Sequence, residues 1–378
     1  MKKILLIFGT RPECIKMAPL YHALKEEKNV FDPVLCVTGQ HRSLLDQSMS
    51  VFGMTADFDL NLMSPNQNLF KLTSEILLGL KKIIEKENPE IVLVHGDTTS
   101  TFAGALAAFY REVKVGHVEA GMRSHDIQNP FPEEFNRKAV ANISDLHFAP
   151  TQVCKNNLLQ ENIPEERIVV TGNTVVDALF WMINKLDGNP DLKNNITQNL
   201  RDLLEFDFIN ERFILITGHR RESFGSGLKQ ICLAIREIAL NHPRIYFVYP
   251  AHLNPQVQKA VHEILGDVKN IRVCEPVGYE AFVILMRESY FLITDSGGIQ
   301  EEAPSLGKPV LVTRTVTERP EAVDVGTVKL VGMNKATIER EVALLLGKSS
   351  LYSKMAHAHN PYGDGRACCR IIEKLREL

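Results

Sequence analysis

Two domains of alternating β-strands and α-helices are the expectation for this chain, on three observations. Its 378 residues exceed what one hydrophobic core usually supports. Short apolar runs alternate with amphipathic segments almost from end to end, the pattern of βα units around parallel sheets. That alternation weakens near the middle of the chain and then restarts.

In the first half, runs of strand character occupy Lys3 to Phe8, Pro33 to Thr38, Ile91 to His95, Val113 to Val118, Leu146 to Ala149 and Ile168 to Thr171. Helical periodicity separates them, most clearly at Leu69 to Glu87 and Thr99 to Tyr110. One sheet is therefore complete by about residue 170. The stretch Asp187 to Asn199 is less apolar, broken by Gly188, Pro190 and several asparagines, and reads as a connection between domains. Strand runs resume at Phe213 to Thr217, Ile245 to Tyr249, Ile271 to Cys274, Phe291 to Thr294, Val310 to Thr313 and Val328 to Val331, which implies a second sheet.

Lys2 and Lys3 precede the apolar run Ile4 to Phe8, but the run is too short for an export signal. Gly9-Thr10-Arg11-Pro12-Glu13 follows it where a cleavage site of small residues would stand. It reads as a buried first strand, and no other apolar stretch approaches a membrane span. The composition is that of an ordinary soluble protein, 44% hydrophobic and 24% charged. A net charge of −3 without a basic block offers no reason to invoke a nucleic-acid polyanion as partner. The seven cysteines contain no CxxC pair and read as reduced thiols in a reducing compartment. The scattered histidines do not suggest a metal site.

In open α/β sheets ligands collect beyond the carboxyl ends of strands, so the residues that follow each apolar run carry the functional information. They are polar here. Gly9-Thr10-Arg11 follows the first run, His95-Gly96-Asp97-Thr98 the third, and Glu119-Ala120-Gly121 the fourth, with His117 inside it. In the second half Gly218-His219-Arg220-Arg221-Glu222 and Asp295-Ser296-Gly297-Gly298 end two runs. The latter passes from strand into helix, so its amides and positive helix end suit a phosphate, although a plain turn with a serine cap fits the same residues. Arg11, Arg220, Arg221 and Arg319 could complete a diphosphate site, because guanidinium forks match phosphate oxygens. Asp97 and Glu119 stand where a sheet places its acid/base chemistry. Glu133 and Glu134 follow Pro132, where acidic residues also simply complement a helix dipole. Gly9-Thr10-Arg11-Pro12-Glu13 lacks the GxGxxG spacing of a dinucleotide site, which disfavours nicotinamide chemistry, and no P-loop pattern is present.

Taken in order, these segments carry a family resemblance: FGTRPECIKMAPL from Phe8, TGQHRSLLDQ from Thr38, VHGDTTST from Val94, VGHVEAGMRS from Val115, NPFPEEFNR from Asn129, TGNTVVDAL from Thr171, TGHRRESFG from Thr217, TDSGGIQEEAPSLGKPVL from Thr294, TERPEAV from Thr317 and NPYGDG from Asn360. Over almost its whole length the chain resembles the bacterial non-hydrolysing UDP-N-acetylglucosamine 2-epimerases. The resemblance implies a GT-B fold, two Rossmann-like domains whose parallel sheets face an interdomain cleft. It implies domains at 1–172 and 173–365, with a terminal helix at 366–378 packing back on the first. A cytoplasmic homodimer without metal or nicotinamide is also implied.

By motif position, Asp97, Glu119, Glu133 and His219 match catalytic or near-catalytic residues of the family, and Arg11, Lys16 and Arg137 match residues of the first-domain part of the cleft. Phe282 is expected near the uracil, Glu302 on the ribose hydroxyls, and Ser296, Gly297, Gly298 and Arg319 on the diphosphate. Gln40, Gln67, Glu134, Arg221 and His252 lie in segments similar to those lining a regulatory position for a second UDP-N-acetylglucosamine. Ser43 and Asn66 depart from some members of the family there, where longer or charged side chains often stand, and Cys14, Met122 and Phe131 are milder departures elsewhere.

The resemblance implies interconversion of UDP-N-acetylglucosamine and UDP-N-acetylmannosamine, the latter feeding cell-surface polysaccharide. The chemistry requires loss of UDP to a 2-acetamidoglucal, proton return to the opposite face of C2, and re-addition of UDP. A GT-B glycosyltransferase, a hydrolysing epimerase and a non-catalytic UDP-sugar sensor share parts of this pattern. The concentration of carboxylates in the first half speaks against the glycosyltransferase and the sensor, while product analysis separates the hydrolysing enzyme.

Overall fold

Seven strands of the first half form one parallel sheet in the computed structural model, which describes residues 1–40, 42–63, 68–218 and 226–378. They are β1 (Lys2–Phe8), β2 (Phe31–Val37), β3 (Phe58–Asp59), β4 (Ile91–His95), β5 (Lys114–Val118), β6 (Leu146–Ala149) and β7 (Ile168–Val170). The order across the sheet is β3-β2-β1-β4-β5-β6-β7, with β1 pairing β2 on one side and β4 on the other. The direction of winding reverses between β1 and β4, so the carboxyl ends of these strands open a crevice. Gly9-Thr10-Arg11 and Gly96-Asp97 lie there.

These strands are continuous apolar runs because helices cover both faces of the sheet. Leu5, Ile7, Val92, Val94 and Val115 are wholly buried against Ile76 and Leu80 of the helix Leu69–Glu87 and the alanines of the helix Thr99–Tyr110. Burial of each such side chain contributes about 1.5–3 kcal/mol, which outweighs the modest helix propensity of the Thr- and Phe-containing covering helices. Both helices occupy the spans that their periodicity predicts. Asn68 and Thr98 cap them, accepting from the amides of Lys71 at 2.8 Å and Thr101 at 3.1 Å.

The second half builds its own parallel sheet from β8 (Phe213–Thr217), β9 (Tyr246–Pro250), β10 (Ile271–Cys274), β11 (Phe291–Thr294), β12 (Val310–Val312) and β13 (Val328–Leu330), in the order β10-β9-β8-β11-β12-β13. Its switch point falls between β8 and β11, which places Gly218 and Asp295-Ser296-Gly297-Gly298 at a second crevice. Ile214, Ile216, Phe247, Phe291 and Ile293 form its core with Ile235 and Val342 from the covering helices.

The chain divides into two compact units, one of Met1–Trp181 with Tyr362–Leu378 and one of Met182–Pro361. The return to the first unit is specific. Asp177 accepts from the amides of Ala367 at 3.1 Å and Cys368 at 2.8 Å, satisfying the first turn of the helix Ala367–Arg376. Lys2 donates to the carbonyl of Arg376 at 2.8 Å, at the other end of that helix. Ahead of it Gly172 and Gly363 lie back to back with φ +89° and +112°, and a Cβ on Gly363 would stand 3.1 Å from the Gly172 Cα. Neither position accommodates a side chain. This close approach lets the Asn173 amide donate to the Tyr362 carbonyl at 2.7 Å.

The polar stretch 187–199, read as a connection, folds into the helix Pro190–Leu204. Asn189 caps it, accepting from Leu192 at 3.1 Å, and Pro190 opens its first turn. It reads as polar because Leu200 and Leu204 are its buried residues. The edge strand β3 is missing from the sequence expectation because two residues carry no periodicity.

Candidate active site

At the end of β5 the backbone turns through Glu119 with φ +64°, a left-handed conformation unfavourable for a side chain with a Cβ. It aims the carboxylate across the ends of β4 and β1. Glu119 Oε2 accepts from Lys16 Nζ in a short contact and from Asn173 Nδ2 at 2.8 Å. Lys16 comes from the second turn of the helix Arg11–Glu26, and Asn173 from the turn after β7. His95 Nε2, at the end of β4, lies 3.8 Å from the same oxygen. Burial dominates over the neighbouring carboxylate and pushes the His95 imidazole down to about 4, so the ring is neutral at physiological pH. His117 on β5 is held down to about 3, again by burial, and its Nε2 lies 2.7 Å from the Gly96 carbonyl, bracing the loop that carries Asp97.

A second carboxylate stands beside the first. Asp97 Oδ2 accepts from Arg137 Nε at 2.9 Å and Nη2 at 2.6 Å, and its carbonyl accepts from Asn136 Nδ2 at 2.8 Å. The third guanidinium nitrogen of Arg137 donates to Glu134 Oε2 at 3.0 Å. Glu134 is wholly buried and also accepts from the amides of Ser124 and His125, at 3.0 and 3.3 Å. Burial works against the Arg137 charge, yet Asp97 and Glu134 raise its proton affinity above the ordinary arginine value. Arg137 thus ties the helix Glu133–Ile143 to the loop after β4 through its ion pair with Asp97. Glu133 opens that helix, and its Oε2 is buried with no hydrogen-bond partner among the described residues. The segment before it carries cis bonds at Asn129-Pro130 and Phe131-Pro132.

Arg11 begins the helix after β1 and is half-buried. Beneath it the buried Glu13 accepts from the amides of Gly9 at 3.1 Å and Thr10 at 2.8 Å and from the hydroxyls of Thr98 at 2.7 Å and Thr101 at 3.0 Å. These bonds lock the start of the helix Arg11–Glu26 to the start of the helix Thr99–Tyr110. Gln40 accepts from Ser100 Oγ at 2.9 Å beside them.

The other crevice has a different chemistry. Ser296 stands at the N-cap of the short helix Gly297–Glu302, but its side chain makes no capping bond; its amide donates to Thr294 Oγ1 at 2.9 Å. The serine cap that fits the sequence is therefore not made. Arg319 Nε donates to the buried Glu301 at 2.7 Å, which lays its guanidinium across Gly297; a Cβ there would lie 2.5 Å from the guanidinium carbon. Arg314 grips Glu318 at 2.8 Å; burial alone would raise the Glu318 carboxyl, but Arg314 and Arg319 overcome it and hold it down to about 2. Glu302 is buried and accepts from Tyr279 Oη at 2.9 Å, with a carboxylate oxygen 3.6 Å from the Cβ position of Gly298. Phe282 is half-buried on the first turn of the helix Tyr279–Glu288. His252 is exposed, and its Nδ1 accepts from the Asn254 amide at 3.2 Å.

The sequence-predicted residues thus fall into two groups. In the first unit Glu119 and Lys16 share one network and Asp97, Glu134 and Arg137 another, while Glu133 opens the helix that carries Arg137. Ser296, Gly297, Gly298, Glu302 and Arg319 gather in the second. His219, Arg220, Arg221 and Gln67 lie outside the described residues. Asn173 and His95 lie against Glu119, and neither is assigned a role from the amino-acid order; the signal for each was a polar residue at or just beyond a strand end.

Two parallel sheets, each with a winding reversal and polar strand ends, define an α/β protein of the GT-B class. MurG of Acinetobacter baumannii, only 12% identical, shares this fold with a TM-score of 0.63 over the full length of both chains. The chain belongs to the UDP-N-acetylglucosamine 2-epimerase family, whose model matches residues 22–376. It is 52% identical to the UDP-N-acetylglucosamine 2-epimerase of Yersinia pestis over 374 residues, 99% of this chain and 98% of that one. The crystal structure of UDP-GlcNAc 2-epimerase from Neisseria meningitidis bound to UDP-GlcNAc aligns over 100% of both chains with a TM-score of 0.91 and 48% identity.

Proposed function

We propose that this chain interconverts UDP-N-acetylglucosamine and UDP-N-acetylmannosamine without releasing free sugar, and that the first unit supplies the acid/base groups while the second grips UDP. The single observation that carries this reading is the fixed carboxylate of Glu119, held by Lys16 and Asn173 at the end of β5 beside the Asp97–Arg137 pair. Family membership and the substrate in the Neisseria meningitidis complex support the choice of nucleotide sugar.

The C2 hydrogen of the sugar is weakly acidic because no carbonyl is adjacent. Stretching the C1–O bond changes that. The bonding pair leaves with UDP, positive charge spreads over C1 and the ring oxygen, and a carboxylate removes the C2 proton as the C1=C2 bond forms. A proton then returns to the opposite face of C2 while a UDP oxygen re-adds at C1. Asp97, Glu119 and Glu133 are the proposed acid/base groups, with His219 in support. Arg11, Lys16 and Arg137 set the charge around them. For the leaving group, Arg319 and the amides of Ser296, Gly297 and Gly298 stabilise the diphosphate, Glu302 takes the ribose hydroxyls and Phe282 lies by the uracil.

Gly297→Ala tests the nucleotide grip. Its methyl group would displace the flexible end of Arg319 rather than any backbone, so thermal stability should hold within about 2 °C while UDP binding weakens about tenfold or more, as loss of a charge-assisted contact does. Calorimetric titration with UDP checks this. The reaction itself is tested by proton NMR of UDP-N-acetylglucosamine incubated with the chain alone. A second UDP-sugar is expected to grow to a constant ratio; accumulation of UDP with free N-acetylmannosamine would assign a hydrolase instead.

A further inference from the structure

Among the groups around Glu119, Asn173 is the amide, which carries no charge at any pH. Asn173 is 2% exposed, yet all its polar groups are used. Its backbone amide donates to the Tyr362 carbonyl at 2.7 Å, its Oδ1 accepts from the Val175 amide at 3.0 Å, and its Nδ2 donates to Glu119 Oε2 at 2.8 Å. The Val175 contact fixes the orientation of the side-chain amide, because a backbone N–H can only donate and Oδ1 must face it. Nδ2 therefore always points at Glu119. With Lys16 donating to the same oxygen, Oε2 already accepts two hydrogen bonds, which disfavours a proton there relative to Oε1. Oε1 is the oxygen on the Gly96 side, 3.7 Å from where a Cβ of that residue would stand.

We propose that Asn173 is a positioning residue for proton transfer, which divides the Glu119 carboxylate into a held oxygen, Oε2, and a proton-carrying oxygen, Oε1. The carboxy-terminal segment is part of the device, since Tyr362 and the Gly172–Gly363 contact fix the turn that presents Asn173. This inference rests on the epimerase reading given above and deepens it.

The test compares wild type, Asn173→Ala and Asn173→Asp in kcat, KM and the pH dependence of kcat, with UDP-N-acetylglucosamine as substrate. Asn173→Asp keeps the acceptor for Val175 and so the local turn, but replaces the donor to Glu119 with a second carboxylate. Both variants should lose about 10- to 100-fold in kcat with KM within about twofold, the loss expected for one hydrogen bond to a charged group. Asn173→Asp should in addition move the limb of the pH profile that belongs to Glu119 upward by about one unit, because a like charge raises its proton affinity. The acidic limb moves if Glu119 is the base, the alkaline limb if it is the acid. Lys16 faces Glu119 from the helix Arg11–Glu26 and His95 from β4; the latter stays neutral above pH 5, so its titration does not mimic the shift. Variants with wild-type kcat, or with losses matching only their unfolded fraction and unshifted profiles, would overturn this inference alone. A wild-type chain unable to interconvert the two UDP-sugars would overturn the reading on which it rests.

Discussion

Glu119→Gln is expected to lower kcat by about 10²- to 10⁴-fold, the range for removal of a general acid or base, with KM changed little. The substitution preserves volume and the left-handed turn at φ +64°, so the strand end stays in place. The charge, however, disappears from a position built around it. Lys16 and Asn173 both donate to Oε2, and a glutamine amide offers one oxygen and one NH₂ group there. Whichever way it turns, it either accepts from both through its oxygen or sets its own N–H groups against a donor. A stability cost of about 1–3 kcal/mol follows from the weakened partner bonds, small enough for the variant to fold. Steady-state kinetics and a thermal scan on the same preparation separate the two effects. A kcat within tenfold of wild type would remove Glu119 from the chemistry.

Mild acid should destabilise the chain steeply. His95, His117 and His147 are 3%, 1% and 0% exposed, and burial pushes their imidazoles down to about 4, 3 and 4. His117 and His147 stand in register on β5 and β6, so protonating one disfavours protonating the other. Their folded-state values lie below the unfolded value of 6.5. The unfolded chain therefore takes up protons first as the pH falls, and stability is lost from about pH 6.5 downward towards the folded values. At pH 5 each ring costs about 2 kcal/mol relative to pH 8, roughly 6 kcal/mol for the three, a large part of a typical folding free energy. Glu13 and Asp177 act in the opposite sense, since burial raises their proton affinities and their folded forms regain stability on acidification. They offset part of that loss. Urea midpoints should fall continuously between pH 7 and pH 5; midpoints flat across that interval would show that the rings are not buried neutral.

Much of this architecture is legible in the amino-acid order because parallel strands buried on both faces become unbroken apolar runs. Ile91–His95, Leu146–Ala149 and Phe291–Thr294 could be read without error of boundary. The polar residues after such runs could be read as well, since the sheet itself decides where ligands collect. Less legible was what holds those residues. Glu134 looks like a helix-dipole complement but is buried under Arg137, and only the fold brings Arg137 against Asp97, 40 positions away. Asn173 lies 54 positions from Glu119, and its amide is anchored by Tyr362 near the end of the chain. Contacts of that range leave no periodicity. The helix Pro190–Leu204 escaped for a local reason: a helix that buries little more than Leu200 and Leu204 has a polar sequence.

In the proposed reaction the C2–H bond breaks in every turnover, and the departed UDP re-adds at C1 before either part is released. Incubating the enzyme with UDP-N-acetylglucosamine in deuterated water and reading both UDP-sugars by NMR tests it directly. Deuterium is expected at C2 of UDP-N-acetylmannosamine from the first turnovers; product that keeps the original hydrogen would contradict proton exchange at C2.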